Sequence, residues 1–178
     1  MPNSINKIII ENIYTNIVKT SRNKIFFLDF KVEDTVEGRF DIIILHSFII
    51  FYFFINVGER KSELPQLLFD HMFADFDSSL REMGFGDIAV NKRMKQFIKA
   101  FYGRISNYSK GLVQFKKLND DSLLKETIIK NIYKDINSKT ECVNFWKEYI
   151  IDNVNYINSR TLDQNIENHF NFKELNIW

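Results

Sequence analysis

Apolar residues recur at three- and four-residue spacing through most of this chain, a period that predicts helix after helix. Ile10, Ile13, Tyr14, Ile17 and Val18 share one face of a first helix, expected to stop near Ser21 or Asn23. After a connector over residues 24–33, Asp34 and Glu37 stand at capping-box spacing, so a long helix should open near Thr35. Gly38 falls in its first turns, where glycine is unfavourable relative to alanine by about 1 kcal/mol, and close approach of another backbone would compensate. Arg39 and Asp41 flank it and are placed to pair locally. The run IIILHSFIIFYFFINV, residues 42–57, is apolar all round, which marks a helix enclosed by others. It is shorter than the roughly 20 apolar residues of a spanning helix. It also contains His46, Ser47 and Asn56 and is flanked by Asp41 and Glu59, so a buried place in a bundle is favoured over a membrane span.

Further along, Leu68, Phe69, Met72, Phe73, Phe76, Leu80 and Met83 form the buried face of another helix, with Ser62 as its cap and Pro65 in its first turn. Gly84 and Gly86 stop it, and Asp87 is placed to cap the next, which presents Met94, Phe97, Ile98, Phe101, Tyr102 and Ile105 on one side. Leu124, Ile128, Ile132 and Ile136 mark a helix beginning near Asp120. Ser138 and Glu141 make a second capping box, ahead of an inner face of Phe145, Trp146, Tyr149, Ile150, Val154 and Ile157. From Thr161 the pattern weakens, leaving Phe170, Phe172, Leu175 and Trp178 to dock the tail on the body. Strand-like alternation is nearly absent, and no repeat or linker divides the chain. The expectation is all-α: one compact multi-helix bundle over residues 1–178 with a long buried central helix.

The totals, 178 residues with 45% hydrophobic and 26% charged, suit one globular domain. Lys and Arg number 24 against 23 Asp and Glu, so attraction to nucleic acid, lipid headgroups or an acidic partner has to come from local clustering. Cys142 is the single cysteine, which excludes an internal disulfide and a multi-thiolate zinc site. The opening MPNSINKIIIENIYTNIVK lacks the marks of a secretory or organelle leader, and a cytoplasmic location is expected, with the inner face of the cytoplasmic membrane as a peripheral site.

Catalytic signals are weak. Asp70, Asp75 and Asp77 invite comparison with the aspartate-rich helices that hold magnesium diphosphate, yet Asp75 points away from the face shared by Asp70 and Asp77, and no second such helix follows. His46, His71 and His169 are dispersed, with no HExxH, phosphate loop or nucleophile elbow beside them, and His46 reads as a hydrogen-bonded core residue. Cys142 has no neighbouring histidine to make it a nucleophile. The electrostatic signal is sharper. Lys92, Arg93, Lys95, Lys99, Arg104, Lys110, Lys116 and Lys117 follow one another with no acidic residue among them, and Lys92, Lys95 and Lys99 form a stripe. The stripe is either a contact surface or a solvated face balanced by Asp70, Asp77, Glu82 and Asp87 on the previous helix.

FDHMFADFDSSLREMGFGDIAVNKRMKQFIKAFYGR resembles the core signature of the ubiquinol-cytochrome c chaperone family, whose members help assemble cytochrome b into respiratory complex III. The upstream VEDTVEGRFDIIILHSF, with Asp34, Gly38, Arg39, Phe40, Asp41 and His46, is similar to that family's entry into its long helix. The resemblance covers roughly residues 14–108 and is to the short bacterial members. His71 and the aromatic run 48–54 depart from it. It implies a non-enzymatic assembly factor without cofactor, whose client is nascent cytochrome b. In mitochondrial members the family implies a small helical partner and a place near the ribosomal tunnel exit; DNA is not an expected partner. Signature positions implied as structural or interface residues include Phe69, Asp70, Phe73, Asp77, Gly84, Gly86, Asp87, Phe101, Tyr102 and Gly103. A holder of membrane segments needs apolar surface for the client and basic surface for ribosomal RNA or anionic lipid. Phe69, Phe73, Phe101 and Tyr102 are expected to form the hairpin's seam, with Lys92, Lys95, Lys99 and Arg104 as its charged contact. Two other readings are an all-α magnesium-dependent isoprenoid enzyme and a peripheral membrane protein without chaperone duty.

Overall fold

The computed structural model describes residues 4–56, 63–134, 140–160 and 169–173. Every element among them is helical: α1 (Ser4–Ser21), α2 (Lys24–Leu28), α3 (Val36–Asn56), α4 (Leu64–Glu82), α5 (Asp87–Leu118), α6 (Ser122–Ile128) running into a π-helical turn (Ile129–Tyr133), and α7 (Thr140–Asn158). The expected all-α bundle is the observed one. The candidate cap Ser62, with Ile136, Ser138, Leu175 and Trp178, lies outside the described residues.

α3 is the axis. By length and apolar composition it is able to cross a membrane, but 83% of its apolar stretch is buried inside the bundle. Its faces meet different neighbours: Phe40 stacks on Phe97 of α5 with ring centres 4.1 Å apart, Phe48 stacks on Tyr108 at 5.1 Å, and Phe170 meets Phe53 edge-on at 5.4 Å and Phe54 at a tilt at 5.2 Å. Helix all round, buried all round, is what its unstriped sequence requires. α1 packs on α3 and α4 through Ile10, Ile13 and Ile17, and α7 closes the other side with Trp146, Tyr149, Ile150 and Val154.

Several local expectations change. The connector 24–33 contains α2, which opens when the Asn23 side chain accepts the Ile25 N–H at 3.2 Å and buries Phe26 completely beneath Trp146. α3 is capped by Thr35, whose hydroxyl accepts the Gly38 N–H at 3.1 Å, so the Asp34–Glu37 box does not form. Arg39 takes Asp34, at 2.6 Å, and Asp41 turns inward to another partner, so the expected Arg39–Asp41 pair is absent. The close approach at Gly38 is real: a Cβ there would lie 1.9 Å from the carbonyl oxygen of Glu33. Near the chain's end, Phe170 is fully buried and Phe172 meets His46 edge-on, ring centres 4.9 Å apart, as the aromatic residues there suggest. Asn153 fixes this segment by accepting the Lys173 N–H at 2.8 Å.

Candidate functional site

The α4–α5 hairpin is built around its corner. Gly84 has φ +86°, the left-handed region in which a side chain is strained. Its N–H bonds to the Arg81 carbonyl at 2.9 Å while the Phe85 N–H reaches Leu80 at 3.2 Å, the paired pattern of a Schellman stop. Gly86, in extended conformation, precedes α5 as its N-cap. Asp87 is therefore the first helical residue rather than the cap, where its charge faces the positive end of the helix dipole. Arg81 binds both Asp77, at 2.6 Å, and Asp87 across the corner, and these two carboxylates hold its guanidinium above the ordinary range.

The seam forms largely as the spacing indicates. Phe69 lies 5.3 Å from Phe101 and 5.6 Å from Tyr102, and Phe73 lies 5.6 Å from Phe101, all between ring centres. Phe73 and Phe101 are buried, whereas Tyr102 sits at the rim with 58% exposure. The aspartates that suggested a metal have organic partners: Asp70 accepts from Gln66 at 2.8 Å, Asp75 from the Tyr14 hydroxyl at 2.7 Å, and Asp77 pairs with Arg81.

Among the described residues, the acidic arm makes no direct ion pair with the lysine stripe. Asp77 and Asp87 are taken by Arg81, and Glu37 of α3 takes Arg93 at 2.8 Å. Lys92, Lys95 and Lys99 are exposed on one face of α5 and, among the described residues, make no ion pair. Arg104 corrects the expectation. Its side chain is only 17% exposed and its Nη2 lies 2.6 Å from Asp41 Oδ1, so it belongs to the interior and not to the outward stripe. Helix periodicity places a residue on a face but does not reveal that a partner 63 positions upstream pulls its long stem inward.

Two buried ionisable groups on α3 behave differently from ordinary surface ones. Burial pushes the Asp41 carboxyl up to about 7, with the Arg104 guanidinium opposing. His46 is fully buried, and desolvation brings it down to about 4 against a smaller upward pull from its bond to Ile42. Its Nδ1 lies 2.9 Å from the Ile42 carbonyl, which can only accept, so Nδ1 carries the proton and Nε2 accepts from the Tyr149 hydroxyl at 2.8 Å. His46 thus ties α3 to α7 as a core residue.

A feature without a sequence signal is an apolar groove where α1, α3, α4 and α5 meet. Val18, Ile43, Phe76, Leu80 and Met83 line it, with Arg22, Arg39 and Asp75 among its polar lining. Met83 is 57% exposed, a flexible apolar side chain able to mould to different surfaces. The groove is assembled from four separate helices, each of which reads in sequence as simply amphipathic.

The molecule is thus a helical bundle that carries at its surface an apolar groove and a cationic stripe without ion pairs among the described residues. The chain belongs to the ubiquinol-cytochrome c chaperone family, whose model matches residues 28–172, beginning later than the segment 14–108 in which the resemblance was read and running well past its end. It is 23% identical over 153 residues to mouse ubiquinol-cytochrome c reductase complex assembly factor 1, covering 86% of this chain but 50% of that protein, so it spans about half the length of that curated relative. The crystal structure of the Cbp3 homolog from Brucella abortus superposes with a TM-score of 0.79 at 29% identity, covering 95% of this chain and 91% of that one.

Proposed function

We propose that this protein is an assembly chaperone for ubiquinol-cytochrome c reductase that holds newly made cytochrome b until the subunit joins the complex. The observation that carries this reading is the match to the family over residues 28–172, together with the close fold agreement over nearly the whole chain. The surface chemistry supports it. A client with exposed transmembrane segments needs apolar cover, and the groove around Phe76, Leu80 and Met83 supplies apolar surface flanked by ionic groups. Lys92, Lys95 and Lys99 then hold the complex of chaperone and client against anionic lipid at the inner face of the cytoplasmic membrane.

Deletion of the gene, followed by measurement of cytochrome b and assembled complex III, tests the role. Both should fall while unrelated membrane complexes stay constant, and both should recover on re-expression. Normal complex III in the deletion strain would overturn the proposal.

A further inference from the structure

The cations of α5 divide into two sets. Lys92, Lys95, Lys99, Lys110 and Lys117 are all exposed and, among the described residues, make no ion pair. The others are engaged: Arg93 pairs with Glu37, Arg104 pairs with Asp41, and Lys116 lies over the Tyr52 ring, 5.1 Å from its centre. After Asp87 at its first position, α5 carries no carboxylate.

The free lysines share a line with apolar side chains. Ile88 is 87% exposed, Tyr102 58% and Val113 39%, and they stand ahead of and between the lysines. Ile88 and Lys117 are 29 residues apart, about eight full turns of helix, so both ends of the line face the same way over about 44 Å. At its C-terminal end the line runs into an open furrow of about 530 Å³ between α5 and α6. Val113, Leu118 and Leu123 line the furrow, Lys110 and Lys117 stand on its α5 side, and no carboxylate contributes to it. Leu118 is 72% exposed. Asp120, just beyond, accepts from Gln114 and from the Ser122 N–H.

We propose that the outward face of α5 from Ile88 to Lys117, with the furrow at its end, lies flat on an anionic bilayer, its lysines at the phosphates and Ile88, Tyr102, Val113 and Leu118 dipping between headgroups. The inference rests on the membrane attachment in the reading above and specifies the face that makes it. Charge and apolar contact together select this occupant. Lysine is depleted at the core of protein–protein interfaces, where charges have to be desolvated. Single-stranded RNA is held by stacking on aromatic planes, and this face offers Tyr102 alone. A bilayer answers both components: lysine stems lie along apolar surface with their heads at the phosphate level, while apolar side chains enter the boundary with the acyl chains. The opposite side of α5 is packed into the bundle through Phe97, Phe101, Tyr108 and Leu112, so side chains enter the lipid and the helix itself does not.

The test uses the full chain and flotation with vesicles of phosphatidylcholine alone or mixed with phosphatidylglycerol. Val113→Ser with Leu118→Ser, and separately Lys110→Gln with Lys117→Gln, should each weaken binding to the anionic vesicles by about tenfold or more. The matched changes Leu28→Ser and Lys19→Gln, at exposed positions of α2 and α1, should leave it unchanged. Every changed side chain is exposed, and unaltered melting shows that folding is not what the flotation reads. In Ile88→Trp and in Val113→Trp the added fluorescence, after subtraction of Trp146 and Trp178, should be quenched by bromine-labelled acyl chains, and in Leu28→Trp it should not. Quenching at both ends supports a face lying flat. Quenching at one end only, equal quenching in Leu28→Trp, flotation indifferent to both C-terminal pairs, or attachment to RNA in place of vesicles would overturn the proposal. Should Lys92→Glu with Lys95→Glu and Lys99→Glu abolish flotation while the C-terminal pairs do nothing, membrane attachment stands and this face falls. Normal complex III in the deletion strain would overturn the chaperone role and leave the face untouched.

Discussion

Asp41 and His46 sit five residues apart on the same helix and respond to acid in opposite senses. A carboxyl raised to about 7 in the folded chain binds its proton more tightly there than when unfolded, so its contribution is complete below its ordinary value of 3.8 and is lost as pH rises through 7. A histidine lowered to about 4 gives the reverse: its contribution is complete above 6.5 and is lost as pH falls toward 4. Between pH 4 and 6.5 the two cancel in part. Asp41→Asn removes one arm of this balance. The variant should gain stability steadily from pH 4 to 6.5 where the unmodified chain changes little, and thermal melts across that range check it; parallel profiles would show that Asp41 does not titrate there. The polarity of His46 was legible from its place in an apolar run. Its partners Ser21 and Tyr149 were not, because contacts over 25 and 103 residues leave no periodic trace.

At the level of elements, glycines show how differently one residue type can be used. Gly38 is enclosed by the Glu33 carbonyl, Gly84 is held at φ +86°, and Gly103 faces open space. Alanine should therefore cost about 1–2 kcal/mol at Gly84 through left-handed strain, and more at Gly38, where the α3 entry has to shift. At Gly103 it should stabilise by up to ~1 kcal/mol through helix propensity. Chemical denaturation of the three variants measures the order; a destabilised Gly103→Ala would mean that neighbours close on that position after all. The longer helices were readable from apolar spacing, as was the turn at Gly84, since both arise from interactions within a few residues, whereas the five-residue α2 is too short to show a period and was read as connector. The starts were less so. Asp34, Thr35 and Glu37 all qualify as end residues for α3, and the choice fell to Thr35 because Arg39 and Arg93 engage the two acids. The π-helical turn carries no comparable signature.

For the whole molecule, what separates a solvated basic face from a contact surface is whether its charges are answered, and that is decided by Arg81. By holding Asp77 of α4 and Asp87 of α5 together at the corner, it engages two of the nearest carboxylates, and Lys92, Lys95 and Lys99 make no ion pair among the described residues. The sequence displayed the sign change between the arms but not this internal neutralisation, which depends on the Gly84 turn bringing two segments together. Near an anionic bilayer each lysine is worth about 1 kcal/mol, so the three together amount to roughly 3 kcal/mol, on the order of a hundredfold in membrane affinity. Reversing all three to glutamate should lower co-sedimentation with anionic vesicles by at least that factor at low salt. The difference should shrink as salt shortens the screening length to about 8 Å near physiological ionic strength. Circular dichroism and melting temperature should hardly change, since none of the three is packed. Arg104→Gln should do the opposite, lowering stability by leaving Asp41 buried without its cation while sparing the stripe. If the triple reversal instead unfolds the chain, or if Arg104→Gln alone abolishes vesicle binding in a stable protein, the division between an outward stripe and an inward ion pair fails. If the division holds, complex III levels in cells carrying the triple reversal report directly on whether membrane attachment, separate from folding, is required for assembly.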